Sequence, residues 1–82
     1  MWVRSQDKTV LINCNNFSIE CYINTNKNKT YFNIETIESN NGTYRTLGSY
    51  SSKEKALQVL YMICEQVDSE YPFFMPEDSE VE

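Results

Sequence analysis

The chain has 82 residues, of which 40% are apolar, so it has room for one small domain with one hydrophobic core. Its net charge is −5, but four acids lie within the last six residues, which leaves a net charge of −1 on residues 1–76. A nearly neutral body argues against general nucleic-acid binding, which needs clustered lysine and arginine.

The first half of the chain is typical of antiparallel strands joined by polar turns. Alternating apolar residues are clearest from Phe17 to Ile23, and asparagine-rich pairs such as Asn15-Asn16 favour tight hairpins. Ser39-Asn40-Asn41-Gly42 is a second hairpin signal, and Gly48 is expected to end the last strand. The predicted strands are residues 2–5, 9–14, 17–24, 30–37 and 43–47.

One amphipathic helix is predicted from Ser51 to Val67. Ser51 and Glu54 have the spacing of a capping box, and Pro72 forbids continuation. The apolar stripe is expected to contain Ala56, Leu57, Leu60, Ile63, Cys64 and Val67. The chain therefore predicts an α+β domain over residues 1–70: a four- to five-stranded antiparallel β-meander packed against one C-terminal α-helix.

Two short segments follow this domain. Residues 71–76 contain Phe73 and Phe74 between two prolines. This cluster either completes the core or docks onto a neighbouring subunit or a partner, since exposed aromatic clusters mark contact sites. Residues 77–82 form an acidic tail, which we expect to be disordered.

The residue types present argue against an enzyme. The chain has no histidine, which is the usual general base, and no nucleophile or phosphate-loop motif. Its three cysteines, Cys14, Cys21 and Cys64, form no paired metal-ligand motif, and each is expected to be a small buried hydrophobe. We therefore predict no catalytic residue, no metal and no cofactor.

The composition also bears on location and assembly. No apolar run is long enough to span a bilayer, and the N-terminus lacks the apolar centre of a signal peptide. We expect a cytoplasmic protein that does not bind membranes. Because so short a chain buries a modest core, a homo-oligomer is expected.

One polar cluster, at residues 4–8, has a composition suited to an anionic ligand. Arg4, Gln6 and Lys8 supply two cations and an amide at a turn. The alternative is a solvated turn in which Asp7 bonds its own backbone. Tyrosines are expected on the wet face of the sheet, where they could stack on a base. The candidate ligand-binding residues are Arg4, Gln6, Lys8, Arg45, Tyr22 and Tyr31, and the candidate partner-binding residues are Phe73 and Phe74.

Two segments carry a family resemblance: Arg4-Ser5-Gln6-Asp7-Lys8, and the stretch from Leu47 through Tyr50 to Leu60. With its SQDK opening and LGxYxSxExAxxVL ending, the chain resembles small uncharacterised phage and prophage proteins of low-GC Gram-positive bacteria. The resemblance implies a setting in the bacterial host cytoplasm, and it supplies no site residue.

Three functions are compatible with this setting. The first is counter-defence by sequestering a nucleotide immune signal, in which a nucleotide-like small ligand is bound. The second is inhibition of a host protein through the aromatic residues or the acidic tail. The third is a structural or regulatory role in the phage.

Overall fold

The computed structural model describes residues 1–38 and 42–82, and these form an α+β domain of six strands and one α-helix. The predicted fold class is confirmed. In chain order the elements are β1 (Trp2–Arg4), β2 (Leu11–Asn13), β3 (Ser18–Asn24), β4 (Lys29–Ile37), β5 (Tyr44–Tyr50), α1 (Lys53–Glu65), β6 (Phe73–Phe74) and a 3-10 helix (Asp78–Glu80).

The strands form two sheets where we expected one meander. The order is β2-β1-β6 in the first sheet and β3-β4-β5 in the second. The β1–β2 and β3–β4–β5 pairings are antiparallel, whereas β6 is parallel to β1. The sheets separate because β2 pairs with β1 and not with β3.

Asn15-Asn16 is therefore a crossover between sheets, and our hairpin prediction there was wrong. The Asn16 side-chain oxygen accepts from the backbone N–H of Ile37 at 2.8 Å, and the Thr36 hydroxyl donates to the Asn16 carbonyl at 2.7 Å. These bonds fasten the crossover to the end of β4. The predicted turn at residues 39–42 lies mostly outside the described residues; beside it, the backbone N–H of Glu38 donates to Thr43 at 2.9 Å.

Strand β5 runs to Tyr50, so Gly48 does not end it as predicted. A side chain at Gly48 would lie 3.0 Å from the Tyr50 hydroxyl oxygen and 3.2 Å from the Met75 methyl carbon. Glycine is therefore needed here because Tyr50 and Met75 approach the backbone closely. Tyr50 is fully buried, and its hydroxyl donates to the Pro76 carbonyl at 2.9 Å.

Helix α1 is shorter and rotated relative to the prediction. Its N-cap is Ser52, whose hydroxyl accepts from the Lys55 N–H at 3.2 Å, and it ends at Glu65. Two of the six predicted stripe residues, Ala56 and Ile63, are buried, and Val59 joins them. Leu60 is half-buried, while Leu57, Cys64 and Val67 are exposed. The helix packs against β4 and β5 through this narrow stripe of Ala56, Val59 and Ile63.

The core lies between the helix and both sheets. Val3 and Phe73 come from the first sheet, and Ile34, Leu47 and Tyr50 come from the second. Phe73 therefore completes the core, which was the first of our two interpretations of residues 71–76. Cys14 is buried as expected, but Cys21 and Cys64 are exposed.

The acidic tail has a defined place in the structure, in contrast to our expectation. Val81 is 6% exposed and joins the core cluster. The Asp78 carboxylate accepts from the Ser51 N–H at 2.8 Å and pairs with the Lys55 ammonium at 3.4 Å. Burial of Val81 and bonds from Asp78 thus hold the tail against the start of α1.

Candidate functional site

The turn at residues 5–8 is built mainly from its own polar side chains. Ser5 is buried, and its hydroxyl donates to the Asp7 carboxylate at 2.6 Å while accepting from the Val10 N–H at 3.1 Å. Asp7 also accepts from the backbone N–H and hydroxyl of Thr9. These bonds lower the pKa of Asp7 to about 2, and the bond from Ser5 contributes most. The Asp7 carboxylate is thus engaged in shaping the turn.

Gln6 fastens this turn to the second sheet. Its amide nitrogen donates to the carbonyls of Ser49 and Pro76, both at 3.1 Å, and its amide oxygen accepts from the Ser49 N–H at 3.0 Å. The backbone N–H of Gln6 donates to the Leu47 carbonyl at 2.8 Å. Because these internal bonds use both ends of the amide, Gln6 is a structural residue and a poor candidate for ligand binding.

Arg4 and Lys8 have a different environment. Within the described parts of the chain, neither side chain forms an ion pair or a hydrogen bond. The Arg4 guanidinium lies over the Phe74 ring, with its carbon 4.1 Å from the ring centroid. The Arg4 Nε is buried and finds no acceptor among the described residues. Lys8 adopts a left-handed backbone conformation, with φ 69°.

Arg4 and Lys8 meet at one surface pocket of about 290 Å³, called the cation pocket below. Its lining residues are Arg4, Lys8, Phe74, Met75, Pro76, Glu77 and Glu80. The pocket is mixed in charge because two carboxylates and two cations line it. It offers donors for an anion, acceptors for hydroxyl or amino groups, and part of an aromatic ring.

The outer face of the first sheet surrounds Arg4 with apolar side chains, and we call it the arginine face (Trp2, Arg4, Leu11 and Phe74). Arg4 is directly across from Leu11 on one side and from Phe74 on the other, so these side chains share a face. Trp2, Leu11 and Phe74 are each 51–56% exposed. Sequence reasoning missed Trp2 and Leu11. The signal was present, because Leu11 lies between Val10 and Ile12, which the period-2 alternation of the predicted strand assigns to the inner face.

The other predicted ligand-binding residues lie on the second sheet. Tyr22 and Tyr31 are directly opposite each other on its outer face, and neither lines the cation pocket. Arg45 is ion-paired with Glu38, and it lies across from Thr36, on the opposite face of the sheet from Tyr22. The structure thus brings Arg4 and Lys8 together at the cation pocket, whereas Arg45 and the two tyrosines do not line it.

Tyr22 belongs instead to a second pocket of about 300 Å³, lined by Glu20, Tyr22, Glu35 and Tyr44. Glu35 is 4% exposed, and its Oε2 accepts from the Tyr22 hydroxyl at 3.1 Å and the Thr46 hydroxyl at 3.0 Å. The bond to Glu35 raises the pKa of Tyr22. The buried carboxylate is therefore held by neutral donors, and no local sequence pattern indicates it.

The described residues include no group of three or more side chains that could hold a metal ion. No helix within residues 1–38 and 42–82 is both long enough and apolar enough to cross a membrane. The chain matches no protein-family model, no curated protein and no solved structure.

Proposed function

We propose that this protein is a non-enzymatic binding protein that captures an anionic, nucleotide-like ligand in the cation pocket. The observation that carries this proposal is the state of Arg4. Its guanidinium is stacked on Phe74, yet no acidic partner or acceptor among the described residues satisfies it. Buried donors in proteins are nearly always paired, so an unpaired one at a pocket favours an external acceptor.

The rest of the pocket fits the same ligand class. A phosphate would bind to the guanidinium of Arg4 and the ammonium of Lys8. Glu77 and Glu80 form a capping box at the 3-10 helix, in which the Glu77 N–H donates to Glu80 Oε1 at 2.8 Å. Their remaining acceptor capacity is available for ribose hydroxyls or for base amino groups, as acidic residues provide in other nucleotide sites. The resemblance to phage and prophage proteins supplies the setting, in which sequestering a host nucleotide immune signal in the cytoplasm would be counter-defence.

Titration calorimetry with ADP and with inorganic pyrophosphate tests the proposal. Arg4→Gln removes the charge but keeps polar bulk, and we expect it to weaken ADP binding by about 10–100-fold, the value of one or two charge-assisted hydrogen bonds. Arg45→Gln is the matched control, because Arg45 is already paired with Glu38. Equal affinity for wild type and Arg4→Gln would refute the site, as would the absence of binding to both probes.

A second candidate function, inhibition of a host protein, is favoured by the arginine face. Exposed Trp2, Leu11 and Phe74 around an arginine match the residue types that dominate protein interfaces. Trp2→Ser distinguishes the two functions, since Trp2 does not line the cation pocket. If the protein captures a nucleotide, Trp2→Ser should leave the affinity for ADP unchanged. If it inhibits a host protein, Trp2→Ser should abolish co-purification of that host protein.

A further inference from the structure

The second sheet has one covered edge and one open edge. At the β5 edge, Gln6 bonds the backbone of Leu47 and Ser49. The other edge is β3, Ser18–Asn24. Its backbone pairs with β4 on one side, and among the described residues no backbone hydrogen bond from any other element reaches it. This strand has seven residues without proline, lysine or arginine, the residues that usually protect edges from pairing.

The β3 side chains are poorly covered on the side that faces the core elsewhere. Ile19 packs partly against the core cluster, but further along the same face Cys21 is exposed and Ile23 is 69% exposed. An exposed isoleucine beside an open backbone is a costly combination in an isolated domain. A strand added at this edge would satisfy the backbone groups and cover Ile23.

We propose that β3 is the interface of a symmetric dimer, in which Ser18–Asn24 pairs antiparallel with the same strand of a second copy. The sequence of the strand is self-complementary about its central residue, Cys21. A two-fold axis there places Ile19 opposite Ile23 on the apolar face, and Glu20 opposite Tyr22 on the polar face. Ser18 is opposite Asn24 at the ends.

No like charges are directly opposite in this register, and each exposed Ile23 gains an apolar neighbour from the partner strand. This self-complementarity favours a second copy over an unrelated strand. The β3-β4-β5 sheets of the two copies would join into one continuous six-stranded sheet. The interface is independent of the cation pocket, which lies on the first sheet.

The register makes a geometric prediction about Cys21. Residues directly opposite in an antiparallel pair have Cα atoms about 4.5–5.5 Å apart, within the range of about 4.4–6.8 Å that a disulfide spans. Oxidation with diamide should therefore link two chains through Cys21. Cys64→Ser retains Cys21 and should form the linked dimer, whereas Cys21→Ser retains the exposed Cys64 and should not.

Mass measurement by light scattering and by native mass spectrometry tests the dimer without any crosslink. The wild type at about 100 µM should have twice the 9.7 kDa mass of one chain. Ile23→Lys should raise the dimer dissociation constant at least about 10-fold, because it places a charge against Ile19 of the partner. Tyr61→Lys, at a helix residue with the same 69% exposure, should leave the mass unchanged.

Three results would overturn the proposal: a wild-type mass of one chain, an Ile23→Lys protein that remains dimeric, or equally fast crosslinking of Cys21→Ser. Because Ile23 is exposed in the single chain, Ile23→Lys should fold normally, and a circular dichroism spectrum matching the wild type checks this. ADP titration of the same variant separates this proposal from that for the cation pocket, because loss of the dimer should leave the Arg4 site in place.

Discussion

Two polar segments from opposite ends of the chain, residues 5–8 and 77–82, converge on the end of β5 by different means. Gln6 bonds Ser49 and Pro76 through a neutral amide, while Asp78 bonds Ser51 through a charged carboxylate. The Gln6 bonds are partly buried, whereas those between Asp78 and Ser51 are exposed. Both segments hold the fold together, but they should differ in strength and in sensitivity to pH and salt.

The difference explains which charges remain available for binding. In the N-terminal turn the neutral and acidic side chains, Gln6 and Asp7, make the structural bonds. The side chains of the flanking cations Arg4 and Lys8 form no hydrogen bond or ion pair with the described residues, and that of Arg4 is only stacked on Phe74. In the tail the acid Asp78 is itself engaged, with Ser51 and Lys55. A polar cluster in the sequence therefore has to be divided residue by residue before it is treated as a site.

The largest effect should come from removing the Gln6 amide. Gln6→Ala deletes three partly buried hydrogen bonds and leaves both backbone groups of Ser49 without these partners. We expect the free energy of unfolding to fall by about 2–3 kcal/mol. Urea denaturation measures this, with Lys8→Ala as the control. Lys8 is exposed and bonds no side chain among the described residues, so its removal should change the free energy of unfolding by less than about 0.5 kcal/mol. A Gln6→Ala protein as stable as Lys8→Ala would contradict the structural role.

A smaller effect is expected from the apolar anchor of the tail. Val81→Ser removes a side chain that is 6% exposed in the core cluster, and the unfolding free energy should fall by about 1–2 kcal/mol. Ser79→Ala, at an exposed neighbouring residue, should have almost no effect. If both variants matched the wild type in urea denaturation, the tail would contribute nothing to the fold, as a disordered segment would.

The sequence was sufficient for the fold class and for most element positions, because period-2 alternation and one amphipathic stripe are local signals. It was insufficient for the division into two sheets. Nothing local shows that β2 returns to β1, or that Phe73 adds a parallel strand from the far end of the chain. The helix face was also misplaced, because Val59 and Leu57 are equally apolar in sequence and only packing against β4 and β5 distinguishes them.

The candidate site was predictable in part for the same reason. Arg4 and Lys8 are close in sequence, and the turn between them brings both to one pocket. Arg45 was grouped with them by charge, but it lies in β5 of the second sheet, where it pairs with Glu38. The role of Gln6 depends on Ser49 and Pro76, which are 43 and 70 residues away in the chain, so no local pattern contained it.

The smallest and most discriminating effect should come from Asp78→Asn, which keeps an acceptor for the Ser51 N–H and removes only the charge. Asp78 has a lowered pKa, chiefly because it accepts from the Ser51 N–H. A depressed folded-state pKa means that the charge contributes fully above the ordinary value of 3.8 and is lost as the pH falls through the folded value. At pH 7 we expect a loss below about 1 kcal/mol, typical of a surface pair.

Urea denaturation of the wild type and of Asp78→Asn between pH 7 and pH 2 follows that loss. The difference in unfolding free energy between the two proteins should stay constant down to about pH 5 and disappear below about pH 4. It should also shrink in 1 M salt, because Lys55 and Asp78 are partly exposed. The loss caused by Gln6→Ala should stay nearly constant over the same range, since an amide does not titrate. If the two differences changed with pH in parallel, the contrast between the neutral and the charged attachment to β5 would be wrong.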